Sequence, residues 1–183
     1  RRHWAISWLN QHHYPDIELL ASLETLDDEG AFRLADIENR EREDISPLER
    51  ALNYKQALNQ FYGGNVGQMS ERMGIVRQSL YNYLSLADLP AEIIPAFASP
   101  LDIQIRYAVQ LSPFLKDGDK REKILSEAAT LADEQAFRLS NDDLPINGVD
   151  VMKRLIAAAQ KSKLRPKGEF RVGDVVVGTI GVN

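Results

Sequence analysis

Arg77, Gln78, Ser79, Tyr81 and Asn82 fall within six consecutive positions just after Gly74, and their side chains suit the reading of nucleic-acid bases. An arginine can donate a parallel pair of hydrogen bonds to guanine, and a glutamine or asparagine can do the equivalent for adenine. Ser79, close to the start of a helix, can bind phosphate. Gln68 and Arg72, a little upstream, are placed to hold the backbone of the same duplex.

Other chemistries find little support. The chain has 183 residues and no cysteine, which excludes a disulfide scaffold and any thiolate zinc site. Its three histidines are His3, His12 and His13, and neighbours on a helix do not face each other, so the adjacent two make a poor metal pair. No Ser-His-Asp or Cys-His arrangement is available for nucleophilic catalysis. No apolar run approaches the ~18 residues of a membrane span. The chain opens Arg-Arg-His-Trp, with neither a signal peptide nor an initiator Met, so an intracellular protein whose native start lies upstream is the expectation.

The elements that must carry the polar cluster are helices. Asn65 can cap a short one, with Val66, Met69 and Met73 as its apolar face and Gly74 as its end. A second runs from about Arg77 to Leu86, with Leu80, Tyr83 and Leu84 inward. Helix, glycine turn and helix over 65–86 make a helix-turn-helix pattern, in which Met69, Ile75 and Leu80 would lock the helices so that the second can enter a major groove. An ordinary helical hairpin is the alternative reading of the same pattern.

Upstream, Ser46-Pro47-Leu48-Glu49 is a capping box with proline at the first helical position. Leu48, Ala51, Leu52, Lys55, Leu58 and Phe61 predict its buried stripe, and Gly63-Gly64 its end. Downstream, Ser99-Pro100-Leu101-Asp102 repeats the cap and predicts a helix through Ile105, Ala108, Val109 and Leu111, closed by Pro113. Further amphipathic helices are predicted over 118–134 and 149–161. Residues 17–23 read as a short strand, although their periodicity also allows helix. Residues 161–168 form a basic linker, and 170–177 read as β-structure with a Gly-Asp turn, expected to pair with residues outside this chain or with a second copy.

Charge is segregated along this chain of net charge −5. Residues 16–49 carry a net −9, 50–87 a net +3, 88–150 a net −6 and 151–171 a net +6. Such blocks suit an anionic partner on one face, or a solvated surface with chance clustering.

The order of these motifs resembles the ParB family. Glu38-Asn39-Arg40-Glu41-Arg42 resembles its Glu-Asn-x-x-Arg segment, which runs into a Ser-Pro-x-Glu helix start like that at Ser46. Met69–Arg77 is similar to its Val-Ala-x-x-x-Gly-x-Ser-Arg turn, with Val76 where the family usually has Ser. Leu89-Pro90-Ala91-Glu92-Ile93 resembles its Leu-Pro-x-Glu-Ile, and Arg1-Arg2-His3 the tail of its Gly-x-Arg-Arg box.

The resemblance implies a mainly α-helical chain in three parts. Residues 1–45 would be the tail end of an α/β nucleotide (CTP) domain. Residues 46–161 would be a helical DNA-binding domain, and 162–183 a basic linker with a short β segment that begins a dimerisation region. It implies a sequence-specific DNA-binding partition protein that recognises a centromere-like site on double-stranded DNA. Such a protein would act as a CTP-controlled homodimeric clamp with a ParA-type ATPase, in the cytoplasm on nucleoid or plasmid. Carried over, Arg1, Arg2, Glu38, Asn39 and Arg42 would bind nucleotide, with Glu38 and Asn39 at its Mg²⁺. Any enzymatic activity would be at most weak CTP hydrolysis by a longer protein. A ParB-like transcriptional regulator, a nucleotide hydrolase or nuclease of the same fold, and a helical adaptor are the other readings.

Overall fold

The computed structural model describes residues 2–40, 45–160, 168–172 and 175–180, with side chains for 3–40 and 45–160. The chain divides into two compact units, Arg1–Arg40 and Glu41–Asn183. The fold is mainly helical.

The smaller unit holds α1 (Arg2–His12) and α2 (Asp28–Asn39). Asp27 caps α2 by accepting the Gly30 N–H at 2.7 Å, the pairing expected of an N-cap aspartate. Arg40 closes it through an ion pair to Asp36 one turn back, at 2.7 Å. The strand expected over 17–23 does not form. Residues 17–27 run without regular structure, with Leu20 and Leu23 in solvent. A strand needs a partner, and no other strand lies among the described residues of this unit. The α/β character expected of residues 1–45 is therefore not displayed by those described.

In the larger unit, α3 (Pro47–Tyr62) starts where the capping box predicts. Ser46 Oγ accepts the Glu49 N–H, and Gly63 ends the helix in the left-handed conformation, φ 55°. The buried stripe is Leu48, Ala51, Tyr54, Ala57, Leu58 and Tyr62. Leu52 is half exposed, Lys55 reaches out to Asp88 at 2.7 Å and Phe61 is only partly buried, which corrects three expected stripe positions. The tyrosines take the interior because their rings bury a large apolar area, and Tyr54 stacks edge-on against Tyr83 with centroids 5.1 Å apart.

Helices α4 (Val66–Met73) and α5 (Arg77–Ala87) pack against α3 and each other. A 3₁₀ turn, Ala91–Ala96, follows Pro90 and lies against the later α7. The second Ser-Pro cap opens only a 3₁₀ turn, Pro100–Asp102, because Ser99 Oγ accepts from Leu101 two residues on. The chain then straightens so that Ile103 can be buried. The next helix, α6 (Ile105–Leu115), begins at Ile105 and contains Pro113, which therefore does not close it. The carbonyl that proline would have bonded belongs to Val109, on the exposed side.

α7 (Gly118–Ser140) and α8 (Gly148–Gln160) complete the bundle. Leu86, Ile93, Phe97, Ile103, Tyr107, Leu111, Ile124, Leu131, Val151 and Leu155 form one shared core. Arg154 ties α8 to α7, its Nε donating to Glu127 at 2.8 Å and its Nη1 to Glu134 at 2.6 Å. Beyond α8, β1 (Gly168–Val172) and β2 (Val175–Ile180) pair antiparallel with each other. No described helix is long and apolar enough to cross a membrane.

Candidate nucleic-acid interface

Three features fix the angle between α4 and α5. Asn65 caps α4 by accepting the Gln68 N–H at 3.0 Å. Gly74 turns the chain at φ 61°, a conformation that costs glycine nothing. Ser70 then braces the turn from both sides: its carbonyl accepts the Ile75 N–H at 3.0 Å, and its hydroxyl donates to the Ile75 carbonyl at 2.8 Å. The sequence reading missed Ser70. A serine four positions before a turn glycine is the signal that could have marked it.

Below the turn, Met69 and Leu80 are wholly buried and Met73 nearly so. Full burial of such a side chain stabilises by about 1.5–3 kcal/mol. The expected lock between the helices thus rests on Met69 and Leu80, with Ile75 half-buried beside them.

With its inner face anchored, α5 presents Arg77, Gln78, Ser79 and Tyr81 to solvent, with Asn82 half-buried. Gln78 Nε2 donates to Asn82 Oδ1 at 3.1 Å. Gln68 and Arg72 are exposed on α4. Arg77, the first residue of α5, lies back towards α4, its guanidinium beside Gly67. It makes no ion pair with Glu71 or any other carboxylate among the described residues. Val76 precedes it without any side-chain capping bond, so the first N–H groups of α5 have no capping side chain.

Of the nucleotide set, the described side chains are those of Glu38 and Asn39. Glu38 is exposed and Asn39 half-buried at the end of α2. As consecutive helical residues they point in different directions. Arg1 and Arg42 lie outside the described residues, as does the side chain of Arg2. No group of three or more potential ligands that could hold a metal occurs among the described residues.

Comparison with known proteins places this geometry. The family model of the centromere-binding protein HTH domain matches residues 45–119, which span α3 to the start of α7. A nucleoid occlusion protein of Geobacillus thermodenitrificans is 29% identical over 163 residues, covering 89% of this chain and 54% of that protein. One from Geobacillus sp. (strain WCH70) is 30% identical over the same coverage. The chromosome-partitioning protein Spo0J of Thermus thermophilus is 37% identical over 79 residues, 43% of this chain and 29% of that protein. The chain thus spans about half the length of the curated relatives that it matches over most of its own.

Proposed function

Because the chain belongs to the ParB-like family of DNA-binding proteins, we propose that it recognises a specific site on double-stranded DNA by laying α5 in the major groove. One observation carries the reading: the polar side chains at the start of α5 stand outward on a short helix whose opposite face is locked by buried Met69 and Leu80. Rigid presentation of a few polar side chains is what base reading needs.

In this reading Arg77 anchors or reads, Gln78 and Asn82 read, and Ser79 and Tyr81 support from the same helix. Gln68 and Arg72 hold phosphates from α4. The biological role that follows is chromosome or plasmid partition at a centromere-like site, by a homodimer working with a ParA-type ATPase. Nucleoid occlusion is a second reading, favoured by the relatives of that name whose match runs along 163 residues. Both roles imply association with the nucleoid. A CTP-controlled clamp would need residues beyond those described, and no step of this proposal depends on it.

The test is selection from random-sequence duplexes with the full chain, followed by affinity measurements on Arg77→Ala with the selected and a scrambled duplex at two salt concentrations. If Arg77 reads a base, its loss lowers affinity for the selected duplex by about 1–3 kcal/mol. If it anchors a phosphate, its loss weakens binding of both duplexes alike and lowers the salt slope by about one. Unchanged affinity for both, with the fold intact, removes Arg77 from the interface.

A further inference from the structure

We propose that Gly67 is a positioning residue for Arg77, and that the side chain it lacks leaves the space in which the Arg77 guanidinium lies. Gly67 is the second residue of α4. Among the described residues the glycines with left-handed backbone are Gly63, Gly64 and Gly74, and Gly67 is not one of them, so its backbone would accept any residue. Helix propensity alone disfavours glycine there relative to alanine. What its bareness gives is room. A methyl carbon at position 67 would stand 3.1 Å from Arg77 Nη2, 3.5 Å from Arg77 Cζ and 3.4 Å from Asn65 Oδ1, the oxygen that caps α4.

The neighbour in that space is the far end of a flexible side chain, so a larger residue at 67 displaces the guanidinium rather than the helices. No carboxylate among the described residues holds Arg77 in place. Its direction is therefore set by packing against the first turn of α4. A guanidinium is useful to a base or a phosphate only when its planar fork meets the acceptor in the right plane. Contact with α4 fixes that plane at the junction of the two helices, where a side chain projecting freely from α5 would sweep a wide cone. Gly67 would thereby influence affinity without touching DNA.

This inference rests on the proposed DNA-reading role of α5, and the experiment separates the two. Gly67→Ala and Gly67→Met are made in the full chain and in the Arg77→Ala background. Both residues are better helix formers than glycine, so the thermal midpoint should hold or rise. Affinity for the selected duplex should fall slightly with Gly67→Ala and roughly tenfold with Gly67→Met, a tenfold loss being about 1.4 kcal/mol. In the Arg77→Ala background neither substitution should change affinity further. In the free protein, the side-chain Nε–H resonance of Arg77 should move with Gly67→Ala.

An unmoved resonance overturns the positioning role. So does a Gly67→Met loss that is the same with and without Arg77, which would mean that position 67 meets DNA directly. A moved resonance with Arg77→Ala binding as well as the parent keeps the contact but overturns the DNA-reading role of Arg77.

Discussion

The side chains of Gln78 and Asn82 are hydrogen-bonded to each other across one turn of α5, Nε2 to Oδ1 at 3.1 Å. Each keeps polar atoms free of that bond: the Gln78 carbonyl and its second N–H, and the Asn82 amide hydrogens. The pair therefore offers acceptor and donors at a spacing fixed before any duplex arrives. Gln78→Ala and Asn82→Ala should each cost about 1–3 kcal/mol on the selected duplex and little on a scrambled one. The double variant should lose less than the sum, since each single change already releases the other side chain. Fluorescence anisotropy on the four proteins measures this, and equal losses on both duplexes would sink base reading by the pair.

Val76 sits at the N-cap of α5 with no side-chain bond to the helix and is largely exposed. Val76→Ser supplies a hydroxyl to the orphan N–H groups without emptying any core space. Stability should rise by about 0.5–2 kcal/mol. Thermal melts followed by circular dichroism should show a higher midpoint; an unchanged or lower one would mean that those N–H groups are already satisfied.

Gln135 is buried, and its amide makes both bonds that Ile146 needs: Nε2 donates to the Ile146 carbonyl at 3.0 Å, and Oε1 accepts the Ile146 N–H at 2.8 Å. This amide stands in for a missing backbone partner in the loop between α7 and α8. Gln135→Leu keeps the volume and abandons both groups, at a cost of roughly 2–4 kcal/mol. Urea denaturation reads the loss, and hydrogen exchange at the Ile146 amide should accelerate. Parent-like stability would show that the loop finds other partners.

Hydrogen bonds from Arg154 and then Arg138 hold the Glu134 carboxyl below its ordinary value. Lys120 does the same for Asp117, and Lys153 with Asn147 for Asp150. A carboxyl depressed in the folded state binds protons more readily once unfolded. Its contribution is therefore present above the ordinary carboxylate range and is lost as the pH falls through the depressed folded value. Stability should stay level from neutral pH to about 5 and decline below roughly 4. Arg154→Met should flatten that decline. An acid limb of the same steepness would assign it to other carboxyls.

The parts of the site governed by local rules could be read from the residues. Asn65 and Gly74 fix the two ends of α4 through capping and a left-handed turn, and α5 begins at Arg77 as expected and runs one residue past Leu86. Features that depend on distant packing could not. The stripe on α3 includes Tyr54, which a ring from α5, that of Tyr83, meets edge-on. Ser99-Pro100 has the same pattern as Ser46-Pro47, yet the burial of Ile103 lets it open only a 3₁₀ turn. α7 continues to Ser140, with Gln135 and the Arg138–Glu134 pair in its last turns. The approach of Arg77 to Gly67 joins residues of different helices, and no local periodicity encodes it.

Among the described residues before Ile45, no apolar side chain is buried; the buried group there is the Asp36 carboxylate. Melting α1 and α2 would therefore hydrate only the covered parts of half-buried side chains such as Ile6, Leu9 and Phe32, and absorb little heat. The calorimetric transition should belong to the ~115 residues from Ser46 to Gln160, with an enthalpy near 80 kcal/mol at about 0.7 kcal/mol per residue. Its heat-capacity step should likewise match a protein of that length and not the whole chain, so that the first forty residues are thermally silent.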